Sequence, residues 1–260
     1  MKPVCLTIAG IDNCAAAGIY ADLKTFHNLG CYGVAAVTTI TVQTIQNVVA
    51  IEPVKDFLLE EQLASLFFSF DIKALKTGMI YKKSHFKIIK RYFEQNNLPI
   101  VIDPIIRASS GKEFIQKNAI KYLIEIFPFA TILTPNIPEA LFLLKKKQYP
   151  VNLNDLKQLS FEFYKEYKIP LLLKGGHFYN SDFIYDVFFD GKEFFILKTK
   201  KISKKNIRGT GCTLSAALTS YLAKQYSLKK AIHKAKKYIV KQIKNANPYK
   251  PYSDYYLIEY

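Results

Sequence analysis

A Gly-Thr-Gly-Cys run at residues 209–212, followed by Thr213 and the helix-forming stretch Leu214-Ser215-Ala216-Ala217-Leu218, is the segment of this chain best suited to chemistry. Its glycines deliver the backbone into a helix N-terminus, where unpaired N–H groups and the positive end of the helix dipole converge and no Cβ bars an anion. Cys212 lies in the same field, which is expected to favour the thiolate and to make it a base or an anion-stabilising group at neutral pH. The plainer alternative is a glycine turn carrying a buried small residue.

Further polar residues follow apolar, strand-like runs. Gly10, with Asp12 nearby, ends the first; Asp103 follows Ile100-Val101-Ile102; Thr134-Pro135-Asn136-Ile137-Pro138-Glu139 follows Ile132-Leu133; Lys174-Gly175-Gly176-His177 follows Leu171-Leu172-Leu173. Carboxylates that bind Mg²⁺, a lysine that screens phosphate charge and a helix N-terminus that stabilises a transferring group together point to phosphoryl transfer. Singly, each has an ordinary reading. Asp103 is a turn or cap former, Glu139 a first-turn acid that suits the helix dipole, and His177 a structural histidine. His27, His85 and His233 form no spaced metal cluster, and neither GxxxxGK[ST] nor GxGxxG occurs.

The elements that must position these residues alternate. Strands are expected at Val4–Ala9, Val34–Val42, Ala74–Thr77, Ile100–Ile102, Thr131–Leu133 and Leu171–Leu173, and helices at Gly18–Leu29, Asp56–Phe70, Lys82–Asn96, Glu113–Phe127, Ile137–Leu144 and Leu153–Tyr167. A hairpin of Phe183–Phe189 and Glu193–Leu197 turns at Asp190-Gly191, and two helices follow. This is an α/β pattern, with sites beyond the C-terminal ends of parallel strands. No linker or repeat divides residues 1–260, so one domain is expected, with about 247–260 as an extended tail.

Composition narrows the function classes. The 260 residues are 50% hydrophobic with no apolar run long enough for a membrane span, which predicts a cytoplasmic globular protein without a membrane partner. The four cysteines, at 5, 14, 31 and 212, show no CxxC pairing, so neither a disulfide framework nor a zinc site is signalled. The net charge of +16 is carried almost wholly by lysine, with arginine only at 91, 107 and 208, and reads as solvated helix faces in place of a nucleic-acid interface.

The chain resembles the hydroxymethylpyrimidine/phosphomethylpyrimidine kinases of thiamine biosynthesis, within the ribokinase-like superfamily. The resemblance rests on colinear segments: Leu6–Gly10, Ala17–Thr25, Thr77-Gly78-Met79, Asp103-Pro104, Leu133–Ala140, Leu173–His177 and Gly209–Thr213. Most ribokinase-like enzymes carry aspartate where Cys212 stands. The resemblance implies a single-domain three-layer α/β/α sandwich with a mostly parallel sheet, an ATP co-substrate, Mg²⁺, a homodimer, and a monovalent cation as an open possibility. It implies Gly10, Asp22, Gln43, Met79 and Ile105 around the pyrimidine, Asp103 and Glu139 at the metal, and Asn136, Lys174 and Thr210 at the nucleotide. Gly209, Thr210, Gly211, Cys212 and Lys174 are then the catalytic group.

Two departures stand out. The loop that usually reads Gly-Ser-Asp-x-Ser-Gly-Gly-Ala-Gly is here Gly10-Ile11-Asp12-Asn13-Cys14-Ala15-Ala16-Ala17-Gly18, so Ala15 and Ala16 are expected to strain it or redirect it. The usual Asn-Thr-His before the anion hole is Asn206-Ile207-Arg208, where Arg208 is either a phosphate ligand or a surface residue. A vitamin B6 kinase, a non-catalytic pyrimidine-binding protein and a basic nucleic-acid binder are the alternative functions.

Overall fold

In the computed structural model, residues 1–107, 111–176, 182–204, 206–251 and 253–260 are described; His177, Lys205 and Tyr252 fall outside them. The strands are β1 (Val4–Asp12), β2 (Tyr32–Gln43), β3 (Val48–Pro53), β4 (Ile72–Thr77), β5 (Ile100–Ile102), β6 (Ile132–Leu133), β7 (Leu171–Leu173), β8 (Phe183–Phe189), β9 (Phe194–Lys200), β10 (Asn247–Pro248) and β11 (Tyr256–Leu257). The α-helices are α1 (Gly18–Asn28), α2 (Asp56–Ser69), α3 (Lys83–Gln95), α4 (Ile120–Glu125), α5 (Ile137–Leu143), α6 (Leu153–Tyr167), α7 (Thr210–Ala223) and α8 (Leu228–Asn245).

Nine strands form one sheet in the order β3-β2-β1-β4-β5-β6-β7-β8-β9. The six from β2 to β7 run parallel, and β3, β8 and β9 are antiparallel at the margins. Because side chains alternate across a strand, each central strand feeds two cores. Leu6, Ile8, Leu75, Ile100, Ile102, Leu133, Leu171 and Leu173 pack with residues of α2 to α6. Cys5, Ala74, Val101, Ile132 and Leu172 pack with α7, α8 and Phe26 of α1. That division makes the three layers of an α/β/α sandwich. The sheet order reverses at β1, between β2 and β4, and the strand ends beside such a reversal form the crevice of open α/β sheets.

The expected helix over 113–127 is shorter than the sequence implies. Phe114 N–H donates to the Ile106 carbonyl and Gln116 N–H to that of Tyr81, so this backbone is spent on neighbouring segments; a 3₁₀ turn at Lys117–Ala119 leads into α4 and another at Phe127–Phe129 follows it. Strand β3 is an additional element. Half of its residues are exposed and only Val48 is buried, so its sequence carries no alternating apolar signal. The tail packs: β10 pairs with β11, Tyr256 bridges to Ile207, and Ile258 is buried.

His85 on α3 is fully buried; its Nε2 lies 3.1 Å from the Val54 carbonyl, and its Nδ1 has no hydrogen-bond partner. Burial, reinforced by the Lys82 ammonium, pushes its pKa down to about 4. The folded state therefore resists a proton that the unfolded chain accepts from about pH 6.5 downward. Stability from this residue is full above that pH and falls as the pH drops toward 4, by on the order of 3 kcal/mol. Urea denaturation between pH 7 and 4 reads that slope, and His85→Gln, which cannot titrate, flattens it.

Candidate active site

The C-terminal ends of β1, β4, β5, β6 and β7 converge on two adjoining cavities. The larger, about 280 Å³, is lined by Asp103, Asn136, Glu139, Lys174 and the segment Ile207–Cys212. The smaller, about 60 Å³, is lined by Gly10, Asp22, Gln43, Lys76 and Met79. Ile105, Arg208 and Cys212 belong to both, so the thiol sits where the cavities meet.

Gly209 turns into α7 with φ of 78°, and a Cβ there would lie 2.0 Å from the Ala16 carbonyl oxygen, so only glycine fits. The first turn of α7 then presents the free N–H groups of Thr210, Gly211 and Cys212 to the larger cavity. A Cβ on Gly211 would be 3.5 Å from Lys174 Nζ, so the lysine head faces this turn. Thr213 Oγ1 lies 2.7 Å from Tyr260 Oη, which ties the turn to the tail.

Opposite the turn, Lys174 Nζ donates to Asp103 Oδ1 at 2.8 Å, and Thr134 Oγ1 donates to the same oxygen at 3.0 Å. Burial opposes the Lys174 charge, but Asp103 and Glu139 more than offset it and hold its pKa above the ordinary lysine value. Asn136 and Glu139 open α5 with a reciprocal capping box, each side chain accepting the other's N–H at 2.8 Å. Burial pushes Glu139 up to about 7 despite Lys174, and the Asp103 carboxylate adds to that rise. Two buried carboxylates that repel each other beside a phosphate-sized anion hole suit Mg²⁺, which binds one or two carboxylates and completes its shell with water and phosphate oxygens. No cluster of three metal-ligating side chains occurs among the described residues, so an all-protein metal cage does not form there.

The small cavity rests on an ion pair with no exposure to water. Lys76 Nζ meets Asp22 Oδ1 at 2.7 Å, and Thr7 Oγ1 donates to Asp22 Oδ2 at 2.7 Å. Burial works against the Lys76 ammonium, yet Asp22, with Cys212 and Asp103 behind it, keeps its pKa above the ordinary value. Cys212 corrects the expectation of a thiolate. Its burial pushes the pKa up to about 11, against the pull of Lys76, so burial in this fold favours the neutral thiol.

Gln43 is held from several sides. Its N–H donates to Asn13 Oδ1 at 2.8 Å, its carbonyl accepts from Asn13 Nδ2 at 3.0 Å and from Cys14 Sγ at 3.1 Å, and its Oε1 accepts from Arg208 at 3.1 Å. The loop that carries Asn13 and Cys14 is organised by Asp12, whose carboxylate accepts the N–H groups of Cys14 and Ala17 at 2.8 and 2.9 Å. Ala15 takes the left-handed conformation, φ 53°, at a strain of about 1–2 kcal/mol, whereas Ala16 has no positive φ.

Gly10, Asp22, Gln43, Met79 and Ile105, grouped from the sequence, thus share the small cavity, and Asp103, Asn136, Glu139, Lys174 and Gly209–Cys212 share the large one. Both Asp22 oxygens are already engaged, so it lies beneath the cavity as much as in it. Sequence reasoning missed Lys76, although a lysine inside the apolar run Ile72–Thr77 was a signal. It also missed Asp186 and Lys236, paired at 2.6 Å at the cleft wall, with Asp186 accepting the Gly175 N–H at 2.9 Å.

The phosphomethylpyrimidine kinase family model matches residues 12–254. A hydroxymethylpyrimidine/phosphomethylpyrimidine kinase from Aquifex aeolicus is 35% identical over 245 residues, covering 94% of this chain and 95% of that protein. Among solved structures, an ADP complex of Bacillus subtilis pyridoxal kinase superposes with a TM-score of 0.89 at 29% identity, covering 100% of this chain and 97% of the other. Phosphomethylpyrimidine kinase from Clostridium difficile gives 0.80 at 33% identity, covering 93% of this chain and 100% of the other. The chain belongs to the phosphomethylpyrimidine kinase family and is a ribokinase-like phosphotransferase.

Removing one member of the buried ion pair strands the other's charge. Lys76→Met therefore destabilises by about 3–5 kcal/mol, and Lys76→Met with Asp22→Asn recovers most of that loss; denaturant midpoints of both variants measure the difference.

Proposed function

We propose that the chain transfers the γ-phosphoryl group of ATP to the hydroxymethyl oxygen of 4-amino-5-hydroxymethyl-2-methylpyrimidine, and then phosphorylates the monophosphate to the diphosphate, for thiamine biosynthesis. The observation that carries this reading is the junction of the two cavities at Cys212: a small, partly apolar chamber opens beside a helix N-terminus built for an anion. Gln43 addresses the ring's donors and acceptors, Asp22 backs it from beneath through a remaining lone pair, and Gly10, Met79 and Ile105 give the ring an apolar or closely approached wall. The bond from the γ-phosphorus to the ADP oxygen breaks as the bond to the acceptor oxygen forms, and the N–H groups of Thr210 to Cys212 meet the charge that spreads over the transferring oxygens.

Asp103 and Glu139 would hold Mg²⁺, which when bound neutralises phosphate charge, with Lys174 beside them and Asn136 fixing Glu139 through the capping box. The four cysteines are free thiols, which supports a reducing, cytoplasmic setting. Exposed Ile40, Val42 and Val49 on β2 and β3 support a homodimer. The similarity to a pyridoxal kinase favours a second reading, a B6 kinase using the same anion hole.

Burial that raises the Cys212 thiol to about 11 disfavours the thiolate a base requires, which supports Cys212 as the group that orients the hydroxyl, with the proton leaving on the product phosphate. Cys212→Ala then lowers kcat by less than about 100-fold, below the 10²–10⁴ loss expected of a general base; steady-state kinetics measure it.

Purified protein with Mg-ATP and, separately, the pyrimidine alcohol, its monophosphate or pyridoxal, with products resolved by mass, tests the reading. Pyrimidine mono- and diphosphates are expected; pyridoxal phosphate alone moves the assignment to the B6 kinase, and no product overturns both.

A further inference from the structure

Five described cations line the two cavities, and four are matched by a carboxylate: Lys76 by Asp22 at 2.7 Å, Lys174 by Asp103 at 2.8 Å, Lys236 by Asp186 at 2.6 Å, and Arg107 by Glu113 at 3.7 Å. Arg208 is the exception. Among the described residues no carboxylate lies within ion-pair distance of it, and its guanidinium donates only to the neutral Gln43 Oε1 at 3.1 Å. Its backbone is fixed, since its N–H donates to the Tyr256 carbonyl at 3.2 Å and Ile207 bridges to Tyr256. It immediately precedes Gly209 and lines both cavities, so an uncompensated positive charge stands beside the anion hole, at the mouth of the chamber for the ring.

A guanidinium carries five donors in a planar fork suited to phosphate oxygens, and one bond to Gln43 leaves others free. The alcohol acceptor brings no charge to this point, whereas the monophosphate brings a phosphate on its ring methylene. We propose that Arg208 is a specificity residue that binds the phosphate of the phosphomethyl acceptor and so favours the second phosphorylation over the first. This rests on the kinase reading above. Through Gln43 the same side chain couples recognition of the phosphate to recognition of the ring. Because arginine has no acceptor, it also fixes the Gln43 amide with its Oε1 outward and its Nε2 donor free for the ring.

Arg208→Gln keeps a donor for Gln43 Oε1 and deletes the charge; Arg208→Lys keeps the charge and loses the fork. The measured quantity is the ratio of kcat/KM for the monophosphate to that for the alcohol. It is expected to fall tenfold or more in Arg208→Gln, through KM for the monophosphate, and to recover in part in Arg208→Lys. An equal loss for both acceptors indicates a merely structural role and overturns the proposal, as does an unchanged ratio. If the wild type turns over neither acceptor, the kinase reading fails separately, and calorimetric binding of the two compounds decides the point. A wild-type preference for the monophosphate that Arg208→Gln abolishes supports the proposal, and equal binding overturns it.

Discussion

The ammonium of Lys76 sits in the middle of a parallel sheet with no exposure to water, and much of the site follows from the need to neutralise it. A buried charge costs several kcal/mol unless it is paired and hydrogen-bonded, so a carboxylate has to arrive from another element. Asp22 comes from α1, and Thr7 of β1 fixes its second oxygen; one polar knot thereby joins β1, β4 and α1 beneath the small cavity. Cys212 of α7 lies in the field of the same charges. The pair is a poor source of net stability by comparison with an apolar core; what its bonds hold together is α1 against β1 and β4 beneath the small cavity.

Asp12 performs a similar service for the loop above. A glycine-rich loop achieves tight turns because glycine accepts positive φ; here Ala15 takes that conformation and the Asp12 carboxylate supplies the fixed acceptors that hold it. The loop remains able to brace Gln43 through Asn13 and Cys14. Backbone freedom has been exchanged for side-chain hydrogen bonds, with the position of Gln43 as the common result.

The alternation of strands and helices was legible because buried parallel strands such as Ile100–Ile102 and Leu171–Leu173 are continuous apolar runs bounded by turns. Asp103, Asn136, Glu139 and Lys174 of the larger cavity were legible as polar side chains just past those runs, whereas the small-cavity residues Asp22, Gln43, Met79 and Ile105 were indicated by the family resemblance. Less visible were features set by tertiary contacts. Residues 113–116 have a helical pattern, but the N–H groups of Phe114 and Gln116 are claimed by Ile106 and Tyr81, and β3 is a partly exposed edge without periodicity. The protonation of Cys212 escaped for the same reason: the local sequence shows a helix N-terminus, which favours thiolate, while the burial that outweighs it comes from elements far away in the chain.

The lysine-rich composition illustrates how little bulk charge says about a site. A net charge of +16 suggests a phosphate-binding cleft filled with free cations, yet the lysines of the cleft are matched one by one with Asp22, Asp103 and Asp186. Pairing lowers the field that each projects, and it fixes each head in place so that no reorganisation is needed when phosphate charge arrives. The electrostatic character of the cleft then depends on the small remainder: helix N–H groups at Thr210 to Cys212, which carry partial charge without a counterion, and the guanidinium of Arg208. Both lie within a few residues along the chain at the junction of the cavities. The attraction for an anion is thus concentrated at the place where a phosphoryl group must pass from one ligand to the other, and it is not spread along the walls of the cleft.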